Sequence, residues 1–219
     1  NVCITPIKLN MEKAKHILLK GSYNDDRNIV EVGIDEAGRG ALAGPVTVSA
    51  VIMPYGFNHP LIKDSKLLNE SQRKEAREIV LDNAIAYSVQ HIDTETIEST
   101  NILKATLLGM KECLNTIDNS FNFILVDGDQ FHGYEGIPFK TVIGGDNKYS
   151  SIAAASILAK TSRDMLMKEL DEETPGYGWN SNKGYGTKQH ITAIKEMGAS
   201  DVHRPSFISH LLTTTNSLF

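Results

Sequence analysis

The stretch Ile29-Val30-Glu31-Val32-Gly33-Ile34-Asp35-Glu36-Ala37-Gly38-Arg39-Gly40 alternates apolar and polar residues and then breaks into glycines. Val30, Val32 and Ile34 share one strand face, and Glu31, Gly33 and Asp35 the other. Two adjacent carboxylates, Asp35 and Glu36, therefore arrive where a strand gives way to a turn. Neighbouring strand residues point to opposite faces, so the two converge only if strand pairing breaks there, and Gly38 and Gly40 permit such a break. A carboxylate pair at a strand end, beside Arg39 held between glycines, suits divalent-cation and phosphate chemistry.

Working outward, Val46 to Ile52 reads as a second strand and Ala84 to Gln90 as a third. Between them, Asn69 followed by Gln72 predicts a capping box for a helix running to about Leu81. Leu103, Leu107, Met110, Leu114 and Ile117 step by four and three, the spacing of one helix face. Phe123 to Val126 is a continuous apolar run suited to a strand buried on both sides, ending at Asp127-Gly128. Phe139 to Ile143 predicts a fifth strand, ending in Gly144-Gly145-Asp146. A helix is expected from Ser150 or Ser151 to about Leu170, a short one over Met11 to Leu19, and a last one over Lys188 to Met197. These elements indicate an α/β fold, a mixed five-stranded sheet flanked by helices with a small C-terminal helical segment. The chain is expected to divide into an extension (1–28), an α/β core (29–172) and a C-terminal helical segment (173–219).

The 219 residues, 41% of them hydrophobic, suffice for one sizeable core. The apolar run from Ile152 to Ala159 is too short to span a bilayer, and lysines break up the start, so neither a membrane anchor nor a signal peptide is expected. Two cysteines, Cys3 and Cys113, give no disulfide framework and no zinc spacing, which favours a reducing, cytoplasmic setting. Net charge is −5, which argues weakly against a nucleic-acid partner, although two bound divalent cations would cancel most of it.

Asp35, Asp127 and Asp146 each follow an apolar strand, directly or after a glycine pair, and Glu36 adds a fourth carboxylate. In open α/β sheets ligands collect beyond the carboxyl ends of strands. Each pair of carboxylates about 4 Å apart costs roughly 4 kcal/mol at an effective dielectric near 20. Such a cluster must protonate or take up cations, and an all-oxygen donor set favours Mg²⁺ or Mn²⁺ over zinc. Read singly, Asp127-Gly128 is a turn, Asp146 a turn or cap, and Arg39 a surface partner of Glu36 or Glu31. Asp129 leaves the ligand at its strand end ambiguous.

Asp35-Glu36-Ala37-Gly38-Arg39-Gly40, followed by Leu42-Ala43-Gly44-Pro45-Val46, resembles the type 2 ribonuclease H family, ribonuclease HII. The likeness continues in Asp64-Ser65-Lys66-Leu67-Leu68, Val126-Asp127-Gly128 and Gly145-Asp146, and in Ser151 to Lys160 with Arg163-Asp164. Lys183-Gly184-Tyr185-Gly186-Thr187 and His203-Arg204-Pro205-Ser206-Phe207 complete an ordered set from about residue 30 to 207. The resemblance implies a ribonuclease H-like fold and a monomeric endonuclease. Its partners would be RNA/DNA hybrids and duplex DNA containing ribonucleotides, cut 5′ of the ribonucleotide to leave 3′-hydroxyl and 5′-phosphate ends. It makes Asp35, Glu36, Asp127 and Asp146 the ligands of a two-metal site. Gly38, Arg39 and Gly40 would read the ribose 2′-hydroxyl largely through the backbone, and Tyr185 would pack against the following deoxyribose. Ser156 and Lys160, four apart on one helix, could reach one phosphate. A Lys160–Asp164 ion pair competes with that role. Lys66 lies in a loop suited to contact with the nucleic-acid backbone, and His203 and Arg204 are expected to fasten the C-terminal segment. The tail Thr213 to Phe219 lacks the glutamine and paired aromatics of a sliding-clamp peptide, so no such contact is expected.

Two rivals remain at this level. Asp127-Gly128-Asp129 matches the Asp-x-Asp metal motif of nucleotide-sugar transferases, but that reading leaves Asp35-Glu36 and Gly38-Arg39-Gly40 unexplained. The other is a non-catalytic binder of hybrid duplexes, against which retention of all four carboxylates speaks.

Overall fold

A computed structural model of the chain describes residues 18–212. Five strands form one mixed sheet: β1 (Glu31–Ala37), β2 (Val46–Ile52), β3 (Ala86–Ile92), β4 (Phe123–Asp127) and β5 (Phe139–Val142). Their spatial order is β3-β2-β1-β4-β5. Pairs β1–β2 and β2–β3 are antiparallel, whereas β1–β4 and β4–β5 are parallel. The quoted stretch is thus the central strand. The helices are α1 (Glu70–Asn83), α2 (Thr94–Ser99), α3 (Ile102–Thr116), α4 (Ser150–Glu173), α5 (Trp179–Asn182), α6 (Lys188–Met197) and α7 (Pro205–Leu212).

The alternation in β1 sorts its residues between two layers. Val32 and Ile34 join Val48, Ala50, Ile124 and Val126 beneath α3. Each large apolar side chain buried there contributes roughly 1.5–3 kcal/mol. Cys113 belongs to this layer, and burial pushes its thiol up to about 12, which makes it a core group with no nucleophilic character at neutral pH. On the other face, a Cβ on Gly33 would lie 2.3 Å from the backbone carbon of Ser151. Helix α4 therefore rests directly on the β1 backbone, burying Ala153, Ala154 and Ala155 and bringing Ser156 beside Asp35. Residues 18–28 brace this contact: Lys20 accepts the Ser150 N–H at 2.9 Å, and the Tyr23 ring stacks on Phe123 at 5.5 Å.

The Asn69–Gln72 capping box forms in both directions, at 2.9 and 3.0 Å. Strand β3 starts two residues later than expected, because Ala84 closes α1, its N–H donating to Val80. The expected break in pairing at Asp35-Glu36 is corrected in one respect. The β1–β2 ladder continues to Ala37↔Thr47, and it is the parallel β1–β4 ladder that stops, at Ile34↔Val126. The opening therefore lies on the β4 side, where β4 itself ends. Helix α6 is not the last: α7 follows, with Pro205 at its first position, where a missing N–H costs nothing. The helix expected over Met11 to Leu19 lies almost wholly outside the described residues, as does the tail from Thr213. Among the described residues, no helix is long and apolar enough to cross a membrane.

The end of α4 and helices α5 to α7 close around Trp179, with Met167, Tyr177, Ile194 and Ile208. Inside this cluster two buried histidines share a hydrogen-bond chain. Ser200 donates its N–H to His203 Nδ1 at 2.9 Å, and the two Nε2 atoms of His203 and His190 meet at 3.1 Å. Trp179 Nε1 donates to His190 Nε2 at 3.0 Å, and His190 Nδ1 faces the Tyr185 carbonyl at 3.0 Å. These partners assign the proton of His203 to Nε2 and that of His190 to Nδ1, with both rings neutral. Burial, and then His190, hold His203 down to about 4. A depressed histidine stabilises the fold above its unfolded value of about 6.5, and that stability, about 3 kcal/mol, is lost as pH falls from there toward 4. Trp179 is the chain's one tryptophan and sits in this chain of bonds, so it reports the change. Denaturant unfolding followed by its emission should give a lower unfolding free energy at pH 4.5 than at pH 7, and His203→Gln should flatten that dependence. The same pH dependence of stability in the parent and in His203→Gln would contradict the buried neutral pair.

Candidate active site

The register Ile34↔Val126 places Asp35 and Asp127 one step further on, at adjoining ends of parallel strands. Asp35 lies on the α4 side and folds back so that Oδ1 accepts its neighbour's N–H, from Glu36, at 2.7 Å. Asp127 Oδ1 accepts the Gly145 N–H at 2.7 Å, which ties the end of β4 to the turn after β5. Asp146, in the 3₁₀ turn Gly145–Asn147, is buried. Asn147 Nδ2 bridges it to Asp64, donating to Asp146 Oδ1 at 3.2 Å and to Asp64 Oδ2 at 3.4 Å. Lys66 reaches over this side, its Nζ 3.9 Å from Asp146 Oδ2.

The carboxylates strain against one another. Burial, then the charges of Glu36 and Asp127, push Asp35 well above the usual carboxylate range. Burial raises Glu36 too, with the Arg39 guanidinium opposing it. Burial, Asp64 and Asp127 raise Asp146. Burial works against the Lys66 charge, yet the surrounding carboxylates hold its pKa above the ordinary lysine value. The site therefore carries more negative charge than its own lysine and arginine offset.

A cavity of about 450 Å³ opens over Asp35, Glu36 and Asp127, walled by Gly38 to Gly40, Ser156, Lys160 and Tyr185. Asp146 does not line it, although Lys66, 3.9 Å from its Oδ2, does. Among the described residues, no three acidic, His or Cys side chains close around one ion position. Asp35, Glu36 and Asp127 line a shared opening and form no finished cage. The competing ion pairs are both present: Arg39 with Glu36 at 3.1 Å and Lys160 with Asp164 at 2.6 Å. Asp129 does not line this cavity; it accepts from Gln130 Nε2 at 2.7 Å and borders a smaller adjoining pocket together with Glu36 and Asp127.

Sequence reasoning missed what holds the walls. Arg163 and Arg204 are completely buried, and neither takes part in an ion pair among the described residues. Arg163 donates to the carbonyls of Pro45 at 2.9 Å, Ala43 at 3.0 Å and Lys183 at 2.7 Å. Arg204 donates to the Gly44 carbonyl through Nε and Nη2 and to the Arg39 carbonyl at 3.0 Å. The Tyr185 ring lies 5.4 Å from the Arg163 Cζ and 6.0 Å from Lys160 Nζ. His203 and Arg204 thus do fasten the C-terminal segment, and Arg204 also grips the loop after β1. Asp64 is a further acid at the site, and its sequence signal was the Asp64-Ser65-Lys66 motif.

The sequence model of a family described as Ribonuclease HII matches residues 32–210. The Ribonuclease HII of Christiangramia forsetii is 48% identical over 179 residues, covering 82% of this chain and 90% of that protein. Among solved structures, the ribonuclease H2 from Pyrococcus horikoshii OT3 superposes with a TM-score of 0.72 at 22% identity, covering 86% of this chain and all of that one. Bst-RNase HIII in complex with Mn²⁺ gives 0.66 at 17% identity, over 86% of this chain and 70% of its own. At those identities the structures establish a common fold.

The two glycines flanking Arg39 do different work. Gly38 has φ +91°, and a Cβ there would lie 2.0 Å from Arg163 Nε, whereas a Cβ on Gly40 would meet no protein atom within 4 Å. Gly38→Ala should therefore lower unfolding free energy by roughly 1–3 kcal/mol, and Gly40→Ala should stay within about 0.5 kcal/mol. Chemical denaturation of both variants checks this; equal losses would mean that Arg163 does not press on Gly38.

Proposed function

The chain belongs to the ribonuclease HII family, and from that premise we propose that Asp35, Glu36, Asp127 and Asp146 hold its metal ions while Gly38 to Gly40 and Tyr185 choose the bond it cuts. The protein is a ribonuclease H, an endoribonuclease acting on RNA/DNA hybrids and on ribonucleotides in DNA. The observation that carries the site assignment is Asp35 and Asp127 abreast at the ends of β1 and β4, in one cavity with the Gly38-Arg39-Gly40 loop.

The donor set fits a hard divalent cation. It offers carboxylate oxygens and no imidazole or thiolate, and burial and mutual repulsion have raised three of its members, so a bound cation relieves a cost already present. Mg²⁺ and Mn²⁺ both suit it, and two ions are the expected complement; the similarly folded ribonuclease HIII was solved with Mn²⁺. When bound, such ions supply Lewis acidity toward phosphate oxygens and a lowered pKa for an attacking water.

The chain's own groups do the placing. The Glu36 and Gly145 amides fix one oxygen each of Asp35 and Asp127, leaving the others to face the cavity. The Ser156 hydroxyl beside Asp35 helps keep that carboxylate ionised. Lys66 and Lys160 present ammonium groups to a phosphate at the rim. Gly40 leaves open the space through which a ribose can approach the backbone, and only contacts to the 2′-hydroxyl separate RNA from DNA. The half-exposed Tyr185 ring provides a flat wall for the next sugar, where an extra hydroxyl would crowd it, and this favours cutting 5′ of a ribonucleotide followed by DNA. Hydrolysis then leaves 3′-hydroxyl and 5′-phosphate ends. The Asp-x-Asp alternative leaves the Gly38-Arg39-Gly40 loop and the family match unexplained, and its second acid is already bonded to Gln130. The buried free thiol of Cys113 agrees with a reducing, cytoplasmic setting.

A labelled DNA duplex carrying one ribonucleotide, incubated with Mg²⁺ or Mn²⁺, tests the assignment. Asp127→Asn should slow cutting at least a hundredfold, about 2.8 kcal/mol, with Asp129→Asn near the parent rate. Saturating Mn²⁺ at about 100 times its Kd should add roughly 2.7 kcal/mol to the parent's unfolding free energy and much less to that of Asp127→Asn. A dead Asp129→Asn beside a normal Asp127→Asn would overturn the ligand choice.

A further inference from the structure

A net charge of −5 is a poor start for a protein that must hold a polyanion, so whatever binds the duplex has to be local. Beside the cavity, and sharing Lys160 with it, runs a second groove of about 610 Å³ between α1, α4 and α5. It is lined by Arg73, Lys74, Arg77, Lys160, Lys168 and Lys183. Only two carboxylates accompany these six cations. Glu70 is shared between Lys74 at 3.4 Å and Lys168 at 3.1 Å, and Asp164 is taken by Lys160 at 2.6 Å.

The remaining cations are held by neutral partners, so they are oriented and keep their charge. Arg77 donates to the hydroxyls of Thr161 at 3.0 Å and Ser162 at 2.9 Å, and Arg73 donates to the carbonyls of Ser65 and Leu68. The Lys183 ammonium rests on the Asn180 carbonyl. Lys183 also adopts a left-handed backbone, φ +52°, a conformation that glycine would take at less cost. Its carbonyl is fixed by Arg163 and its chain continues through Gly184 to Tyr185, so the groove and the Tyr185 wall are two sides of one loop.

We propose that this groove carries the sugar–phosphate backbone of the cleaved strand on the 3′ side of the ribonucleotide. The inference rests on the reading of Tyr185 as the wall for the following deoxyribose, which gives the groove its polarity. Along α4, Lys160 to Lys168 is eight residues, about 12 Å. The rise of roughly 3.4 Å per nucleotide is along the duplex axis, and neighbouring phosphates on one strand stand roughly twice as far apart, so this length holds about two phosphates. The net surplus of four positive charges is enough to neutralise them.

Duplex binding to the full chain, followed by fluorescence anisotropy over a salt series, tests the inference. Asp35→Asn keeps the duplex uncut and serves as the parent. One duplex has a long flank 3′ of its single ribonucleotide, and the other has that flank cut back to one base pair. Lys74→Gln with Lys168→Gln should lower the slope of log K against log salt by about 2 on the long flank, and should change it little on the short one. Glu70→Gln, which removes a groove anion, should tighten binding to the long-flank duplex, a gain that a misfolded variant cannot mimic. Unchanged slopes in a parent that binds, or equal changes on both duplexes, would overturn the groove and leave the catalytic reading standing. A parent that binds neither duplex would take both down.

Discussion

The geometry of the site hangs on one buried cation, the Arg163 guanidinium. Its three hydrogen bonds go to backbone carbonyls in two loops: Ala43 and Pro45 between β1 and β2, and Lys183 before Tyr185. A guanidinium without a carboxylate partner is costly to bury, and stripping it from the carbonyls it satisfies would cost on the order of 3–5 kcal/mol. That cost makes the arrangement rigid. The planar fork fixes where the Gly38-Arg39-Gly40 turn lies relative to the Tyr185 ring, and a lysine's point charge could not. Arg204 repeats the device from the C-terminal side, gripping Gly44 and Arg39. The two walls proposed to read neighbouring sugars are therefore one rigid body, although nearly 150 residues separate them in sequence.

Beneath that clasp, the sheet delivers the carboxylates. Because β1 is central and parallel to β4, two strand ends place their acids side by side, and Gly33 lets α4 sit close enough for Ser156 to meet Asp35. The resulting charge is held in place by the hydrophobic layers above and below, which supply the stability that the repelling acids subtract. On the proposed ligand assignment, cation binding and folding are coupled through the same residues.

Much of this was legible in the sequence. The alternation from Ile29 to Asp35 gave a strand, Asn69 and Gln72 a helix start, and the four-three steps from Leu103 a helix face, because each is a local, periodic signal. The strand-end acids were legible for the same reason. Helices α2 and α5 have six and four residues, too few to show a period, and α7 is scarcely longer. Which ladder stops beside Asp35 depends on the pairing of β1 with β4, some ninety residues away. Arg204 was expected to fasten the C-terminal segment, but its grip on the loop after β1 and the role of Arg163 were hidden for a different reason: both bind carbonyls, which every residue has, so no acidic partner betrays their targets.

The central claim is that a fixed spacing between the Gly38-to-Gly40 turn and Tyr185 selects a ribonucleotide followed by DNA. The measurement is the ratio of cleavage rates on a duplex with one embedded ribonucleotide and on a continuous RNA/DNA hybrid, at one salt and metal concentration. Tyr185→Ala and Arg163→Lys should both lower that ratio at least tenfold, about 1.4 kcal/mol, with Tyr185→Phe close to the parent. If both variants slow the two substrates by the same factor, the clasp holds the fold together and has no part in choosing the bond.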